Sequence, residues 1–333
     1  MRRHDRSPRS WTSTARECYN HLNRPDSYGG SPLFRRTAFA SLGAILLLTA
    51  CQGGGGSASP TATTGSATSG AASGSAGNPN DLLAKIKQAG VIRVSTDPNY
   101  APQSFQKPDG TFEGFDIDVA NEVAKRLGVT VKFITPDFSA VQSGGWAARW
   151  DMSVGSMTIT EPRKKVLDFT EPYYFTPAQM SASKKSGITT LDGLAGKKIC
   201  VGEQTTYQFW LEGTLKLGDG SSTAPVPQGA KVTTLKTDQD CAQSLKSGRS
   251  DFEGWLSSSS TVDDAIKAGT PVVKVGTPVF YEPLGVAFDN KGAPPHSELL
   301  AAVKKIIQEM HADGTLTTLS KKWFNGADLT TKS

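Results

Sequence analysis

The chain has 333 residues, 37% of them hydrophobic, and sets 36 Lys and Arg against 31 Asp and Glu for a formal charge of +5. Residues 1–50 hold 8 of the basic and 3 of the acidic residues, so 28 of each remain beyond that point. A neutral remainder excludes the basic surface that nucleic-acid binding needs, and no apolar run after Cys51 reaches the roughly 20 residues that span a bilayer.

The first predicted element is a leader over 1–50, in which Arg35-Arg36 runs into the apolar stretch Ala38 to Ala50. A basic pair before an apolar run of about a dozen residues is the order of a secretion signal, too short to span a membrane. The run ends in Leu48-Thr49-Ala50-Cys51, which resembles a lipobox and implies that Cys51 becomes a lipid-bearing N-terminus. Residues 51–80 read as a linker, since Gly53 to Asn80 carries no charge and no bulky apolar side chain and cannot make a core. Its flexible coil would span about 30 Å. This arrangement predicts a domain tethered to the extracellular face of the cytoplasmic membrane. Of four cysteines, Cys18 lies in the leader and Cys51 takes lipid; Cys200 and Cys241 are left for an oxidising exterior. They are expected to bridge, two buried free thiols being the other reading.

From Asp81 onward the chain suits two α/β lobes better than one core. The patterning predicts a helix over Asp81 to Ala89, a strand over Val91 to Ser95, and a strand running into a helix over Gly114 to Leu127. Phe115, Ile117 and Val119 alternate with Asp116 and Asp118, as in a half-buried strand; Val119, Val123 and Leu127 then fall four apart on a helical face. Further strands are expected over Thr130 to Ile134 and Asp151 to Met157. After Gly193 the order restarts, with a strand over Lys198 to Gly202, a helix over Tyr207 to Thr214, a strand over Lys231 to Leu235 and a helix over Thr237 to Ser247. A strand over Gly285 to Phe288, a helix over Ser297 to Ala312 with Ser297 as N-cap and Gly314 as its stop, and a helix over Leu316 to Trp323 complete the chain.

The stretch Gly114-Phe115-Asp116-Ile117-Asp118-Val119 and the eight residues after it resemble the signature of bacterial extracellular solute-binding proteins of the polar amino-acid branch. The resemblance implies a two-lobed, periplasmic-binding-protein-like (type II) α/β fold. Lobe 1 would comprise 81–182 and 284–328 and lobe 2 would comprise 183–283. A two-strand hinge would cross near Gln179 to Ala182 and return near Leu284 to Ala287. It further implies a monomeric receptor, without cofactor or metal, that hands a small zwitterion to an ABC permease driven by its ATPase.

A bound zwitterion needs a fixed cation for its carboxylate, and the planar fork of arginine matches two carboxylate oxygens. The segment Asp151 to Arg163 resembles the family's carboxylate clamp, with Gly155, Ser156 and Thr158 lining the cleft and Arg163 gripping the carboxylate. Val94 to Pro102 resembles its first strand and loop, with Asp97 and Tyr100 facing the ligand and Asp97 favouring a cationic or amide side chain. A turn cap before proline is the plainer reading of Asp97. Phe138 aligns with a stacking aromatic, or packs in the core. Thr205 and Thr206 would complete the carboxylate site at a helix N-terminus, or Thr205 simply caps it.

Some residues depart from the family pattern. Leu256 stands where an aspartate is expected to take the α-ammonium, leaving Ser257, a shifted backbone, Glu203 or Asp97 as substitutes. Gly144-Gly145 interrupts a predicted helix. His296 and His311 read as solvated, and Glu161, Glu171 and Glu282 as surface carboxylates. An enzyme on the same scaffold, dehydratase-like or cell-wall lytic, and a ligand-sensing ectodomain are the competing readings. No Ser-His-Asp order, Walker loop or dinucleotide glycine pattern supports the enzyme.

Overall fold

The computed structural model describes residues 78–249 and 251–332, so the leader, lipidation at Cys51 and the linker up to residue 77 lie outside the described residues. In chain order it contains α1 (Leu82–Ala89), β1 (Val91–Ser95), β2 (Asn99–Tyr100), β3 (Ser104–Gln106), β4 (Phe112–Glu113), α2 (Phe115–Leu127), β5 (Thr130–Ile134), α3 (Phe138–Gln142), β6 (Met152–Ser153) and β7 (Leu167–Phe169). The long β8 (Tyr174–Ser183) leads to β9 (Lys198–Gly202), α4 (Thr206–Leu211), β10 (Lys231–Leu235), α5 (Asp238–Lys246), β11 (Gly254–Ser258), α6 (Ser259–Lys267), β12 (Val272–Lys274) and β13 (Phe280–Leu284). The chain returns through β14 (Ala287–Asp289), α7 (Ser297–Ala312) and α8 (Thr315–Trp323).

Two larger sheets, one in each lobe, hold most of these strands, and β2-β3-β4 form a small third sheet. The first has the order β5-β1-β6-β14-β7, with β1 parallel to β5 and β6 and with β14 antiparallel to its neighbours. The second has the order β10-β9-β11-β8-β12, and β13 pairs antiparallel with β8 from Phe280 opposite Ala178 to Leu284 opposite Tyr174. Apolar packing follows the sheets. Tyr173, Tyr174, Leu284 and Val286 join one buried cluster with α2 and α7, whereas Ala178, Met180, Ala182 and Phe280 join another with Trp210 and Leu256. The β8–β13 pair thus carries the backbone from one core to the other. Cys200 and Cys241 form a disulfide with S–S 2.04 Å, tying β9 to the buried face of α5.

Several boundaries differ from the sequence expectation, each for a local reason. Phe115 to Val119 is the opening of α2, not a strand. Gly114 holds φ 130°, with Gln103 O 2.3 Å from where a Cβ would sit, and this tight approach turns the chain straight into the helix. Asp116 and Asp118 then fall in its first turn, where acids suit the helix dipole. The strand expected over Asp151 to Met157 keeps only Met152 and Ser153, because the chain leaves the sheet to form a loop with Ser156 at φ 53°. The helix expected over Tyr207 to Thr214 spans Thr206–Leu211, ending before Gly213 at φ 70°. Ser297 is the first residue of α7 and not its cap; Asp81, the N-cap of α1, instead accepts from Glu298 N at 3.1 Å. Gly144 and Gly145 end α3, freeing the amides of Gly145 and Trp146 to bind the Asp289 carboxylate at 3.0 and 2.6 Å. His296 and His311 are partly buried and engaged, with ring nitrogens 3.0 Å from Asp168 Oδ2 and 2.9 Å from Pro172 O.

Candidate ligand-binding site

Open sheets present ligands to the loops that leave the carboxyl ends of their strands. Asp97 follows β1, Phe138 follows β5, Gly155 and Ser156 follow β6, Thr205 follows β9 and Asp238 follows β10. Side chains from these loops meet across the two lobes. Tyr100 and Tyr207 hydroxyls stand 3.2 Å apart, Gln142 Nε2 donates to Gln204 Oε1 at 2.7 Å, Gln103 Nε2 donates to Ser258 Oγ at 2.9 Å, and Lys236 pairs with Asp137 at 2.6 Å.

Arg163 lies between these loops, 4% exposed. Its Nη1 donates to Thr158 O at 3.0 Å, Nε and Nη2 donate to Gln142 Oε1 at 3.3 Å, and Nη2 reaches Gln204 O at 3.3 Å. Phe138 packs on it, with the guanidinium carbon 5.2 Å from the ring centroid. Among the described residues no carboxylate stands within ion-pair distance of this guanidinium. Burial lowers its pKa to about 10, against the field of Glu282, so it remains charged at neutral pH. Burying a charge without a counter-charge is costly. Neutral acceptors orient the fork, and a carboxylate entering the cleft would compensate it.

Glu282 is the main residue that sequence reasoning misplaced. It is 3% exposed, not a surface carboxylate, and four buried hydroxyls donate to it. Thr158 does so at 2.7 Å, Tyr207 at 2.8 Å, Thr176 at 3.1 Å, and Thr206 shares Oε1 with Thr158. Alternation along β13 was the available signal, since Phe280, Glu282 and Leu284 share its buried face. Glu161 does lie on the surface, paired with Lys164 at 2.9 Å.

The other expected residues take different places. Thr158 and Thr206 spend their hydroxyl protons on Glu282, and Thr158 O accepts from Arg163. Ser156 Oγ donates to Asp116 at 2.7 Å and lies 2.6 Å from Tyr174 OH, in a network below its loop that also includes the bond from Tyr173 OH to Asp116 at 2.7 Å. Gly155 lets its loop approach β1, with Thr96 Cα 3.3 Å from where a Cβ would sit. Thr205 caps α4, its hydroxyl accepting from Gln208 N at 3.3 Å and donating to Gly202 O at 2.7 Å. Asp97 accepts from Asn99 N at 2.7 Å, the turn geometry, while burial raises its pKa. Leu256 is fully buried in the second apolar cluster.

Asp116 and Asp238 each have a pKa pushed up to about 7, chiefly by burial. A carboxyl with a folded pKa near 7 and an unfolded one near 4 gains protons on folding between those values, so stability rises as pH falls through that window. The ligand-free protein is therefore expected to melt several degrees higher at about pH 5.5 than at about pH 8, and Asp116→Asn should remove much of the difference. Scanning calorimetry at both pH values checks this; a flat or opposite trend would show that neither carboxyl is held protonated.

Residues 92–326 match the bacterial extracellular solute-binding proteins, family 3. The chain is 34% identical over 251 residues to the L-cystine-binding protein TcyJ of Escherichia coli strain K12, covering 75% of this chain and 88% of that one. It is 30% identical over 245 residues to the lysine/arginine/ornithine-binding periplasmic protein of the same strain, covering 71% and 88%. Among solved structures, an ancestral arginine-binding protein bound to arginine superposes with a TM-score of 0.60 at 32% identity, covering 71% of this chain and 98% of that one. An ancestral amino acid-binding protein described as a precursor of cyclohexadienyl dehydratase superposes at 0.59 with 32% identity, covering 73% and 99%. The chain belongs to the bacterial extracellular solute-binding proteins, family 3.

Proposed function

We propose that the protein is the extracytoplasmic receptor of an ABC importer, anchored by lipid at Cys51 and acting as a monomer. It captures a polar amino acid or related zwitterion between its lobes and delivers it to a membrane permease. One observation carries the reading: the buried guanidinium of Arg163 is held by carbonyl and amide oxygens from both lobes and has no carboxylate partner among the described residues. Ligand contacts to both lobes favour the closed form over the open one, which is all that capture requires. Asp97, Asp238 and Glu282 set three carboxyls against one guanidinium, which favours a cationic or amide side chain and disfavours an acidic one. The names of the relatives, which bind cystine and basic amino acids, support the same class. No catalysis is needed. Titration calorimetry against L-arginine, L-lysine, L-histidine, L-glutamine, L-cystine and L-glutamate tests the proposal. Binding of at least one of the first five is expected, with none of L-glutamate; silence across the set would remove the amino-acid assignment.

A further inference from the structure

We propose that Asp238 takes the α-ammonium of the bound amino acid, restoring from helix α5 the counter-charge that Leu256 of strand β11 does not supply. The inference rests on the amino-acid reading above. It starts from position 256, whose side chain is fully buried among apolar neighbours and offers the cleft no charge. The next residue of β11, Ser257, donates its hydroxyl to Asp238 Oδ2. A carboxylate from another element therefore stands beside the strand position where an acid was expected.

Several features make Asp238 more than a helix-start residue. Thr237 and Asp240 already form the capping box of α5, each bonding the other's backbone amide, so the helix end does not depend on the Asp238 side chain. Asp238 is 5% exposed and, among the described residues, forms no salt bridge. It follows the carboxyl end of β10, its charge acts on Tyr100, and Asp97 and Glu282 act on it. Gly202, whose added Cβ would lie 2.9 Å from Asp238 N, lets the end of β9 pass beneath it.

Among the described residues, Arg163 is a buried cation with no carboxylate in contact, and Asp238 a buried carboxyl with no cation in contact. A hydrogen-bonded chain runs from Arg163 through Thr158, Glu282 and Tyr207 to Tyr100, whose hydroxyl feels the charge of Asp238. A zwitterion set across this chain would compensate both groups at once. Both charges become favourable only when paired, which ties capture to the presence of both ends of the ligand.

The test compares each amino acid with its desamino analogue in wild type and Asp238→Asn, by calorimetry with competition at millimolar analogue. The pairs are L-arginine with 5-guanidinopentanoate and L-glutamine with glutaramate. The variant is expected to bind the amino acid about 50-fold more weakly while binding the analogue as wild type does, the loss of one charged hydrogen bond. Its melting temperature at about pH 8 should not fall, because the substitution removes a buried charge. Equal weakening of acid and analogue would place the side-chain cation or the fold, not the α-ammonium, at Asp238 and overturn the proposal. Unchanged affinity for the amino acid would overturn it as well. If the wild type binds none of the amino acids, it is the underlying receptor assignment that fails.

Discussion

Replacing Arg163 with methionine should weaken amino-acid binding about 1,000-fold while leaving the melting temperature of the ligand-free protein unchanged or raised. The asymmetry follows from where the guanidinium stands. In the ligand-free protein its donors end on Thr158 O, Gln142 Oε1 and Gln204 O, all neutral, and its charge is buried without an opposite charge in contact. Methionine keeps an unbranched stem against Phe138 and removes that cost. In the complex the balance reverses, because the ligand carboxylate would lose its bidentate partner inside a closed cleft. Leaving one charge of a buried pair alone costs about 3 to 5 kcal/mol, and about 4 kcal/mol is three decades in affinity. Arg163→Lys keeps the charge without the fork and should fall between the two. Calorimetry and thermal melts on the three proteins decide it. Undiminished capture by Arg163→Met would sink the carboxylate clamp and with it the proposed function.

Much of the fold was legible because local patterns were sufficient. Strands β1, β5, β9 and β10 and helices α1, α5 and α7 follow from apolar period and caps within a few residues of their observed ends. Phe115 to Val119 misled because five residues alternating two by two also place Phe115 and Val119 four apart, and only the contact of Gly114 with distant Gln103 decides for helix. Sheet order is beyond such reasoning: β8 pairs with β13 more than a hundred residues later, and no period in either strand names the other. The site was legible in the same measure. Arg163 could be singled out by its surrounding motif, yet the partners of Thr158 and Thr206 could not, since both bond Glu282 from 124 and 76 residues away. Asp238 was hidden by its own neighbourhood, where Thr237 and Asp240 make any acid look like part of a helix start.

Glu282→Leu is expected to destabilise the protein by about 4 kcal/mol, lowering its melting temperature by about 8 to 16 °C. The glutamate is the common acceptor for Thr158, Thr176, Thr206 and Tyr207, all buried. Leucine fills similar space but leaves these hydroxyls without that partner, at about 1 to 3 kcal/mol for each one that finds no other. Arg163 also loses the favourable field of the Glu282 carboxylate. The damage should not be confined to stability. Glu282 sits on hinge strand β13, accepting from Thr158 of the first lobe and from Thr206 and Tyr207 of the second, so one carboxylate fastens both jaws to the hinge. Glu282→Gln keeps the shape and one carbonyl acceptor, and its amide can donate to hydroxyls that reverse their roles; it should cost about 1 to 2 kcal/mol. If the two variants melt together, the loss belongs to the charge alone and the four hydroxyl bonds contribute nothing separate. If neither melts below wild type, the hinge is not held at this carboxylate. A graded loss with leucine the more severe, and weaker amino-acid binding in proportion, is what a shared acceptor across the hinge requires.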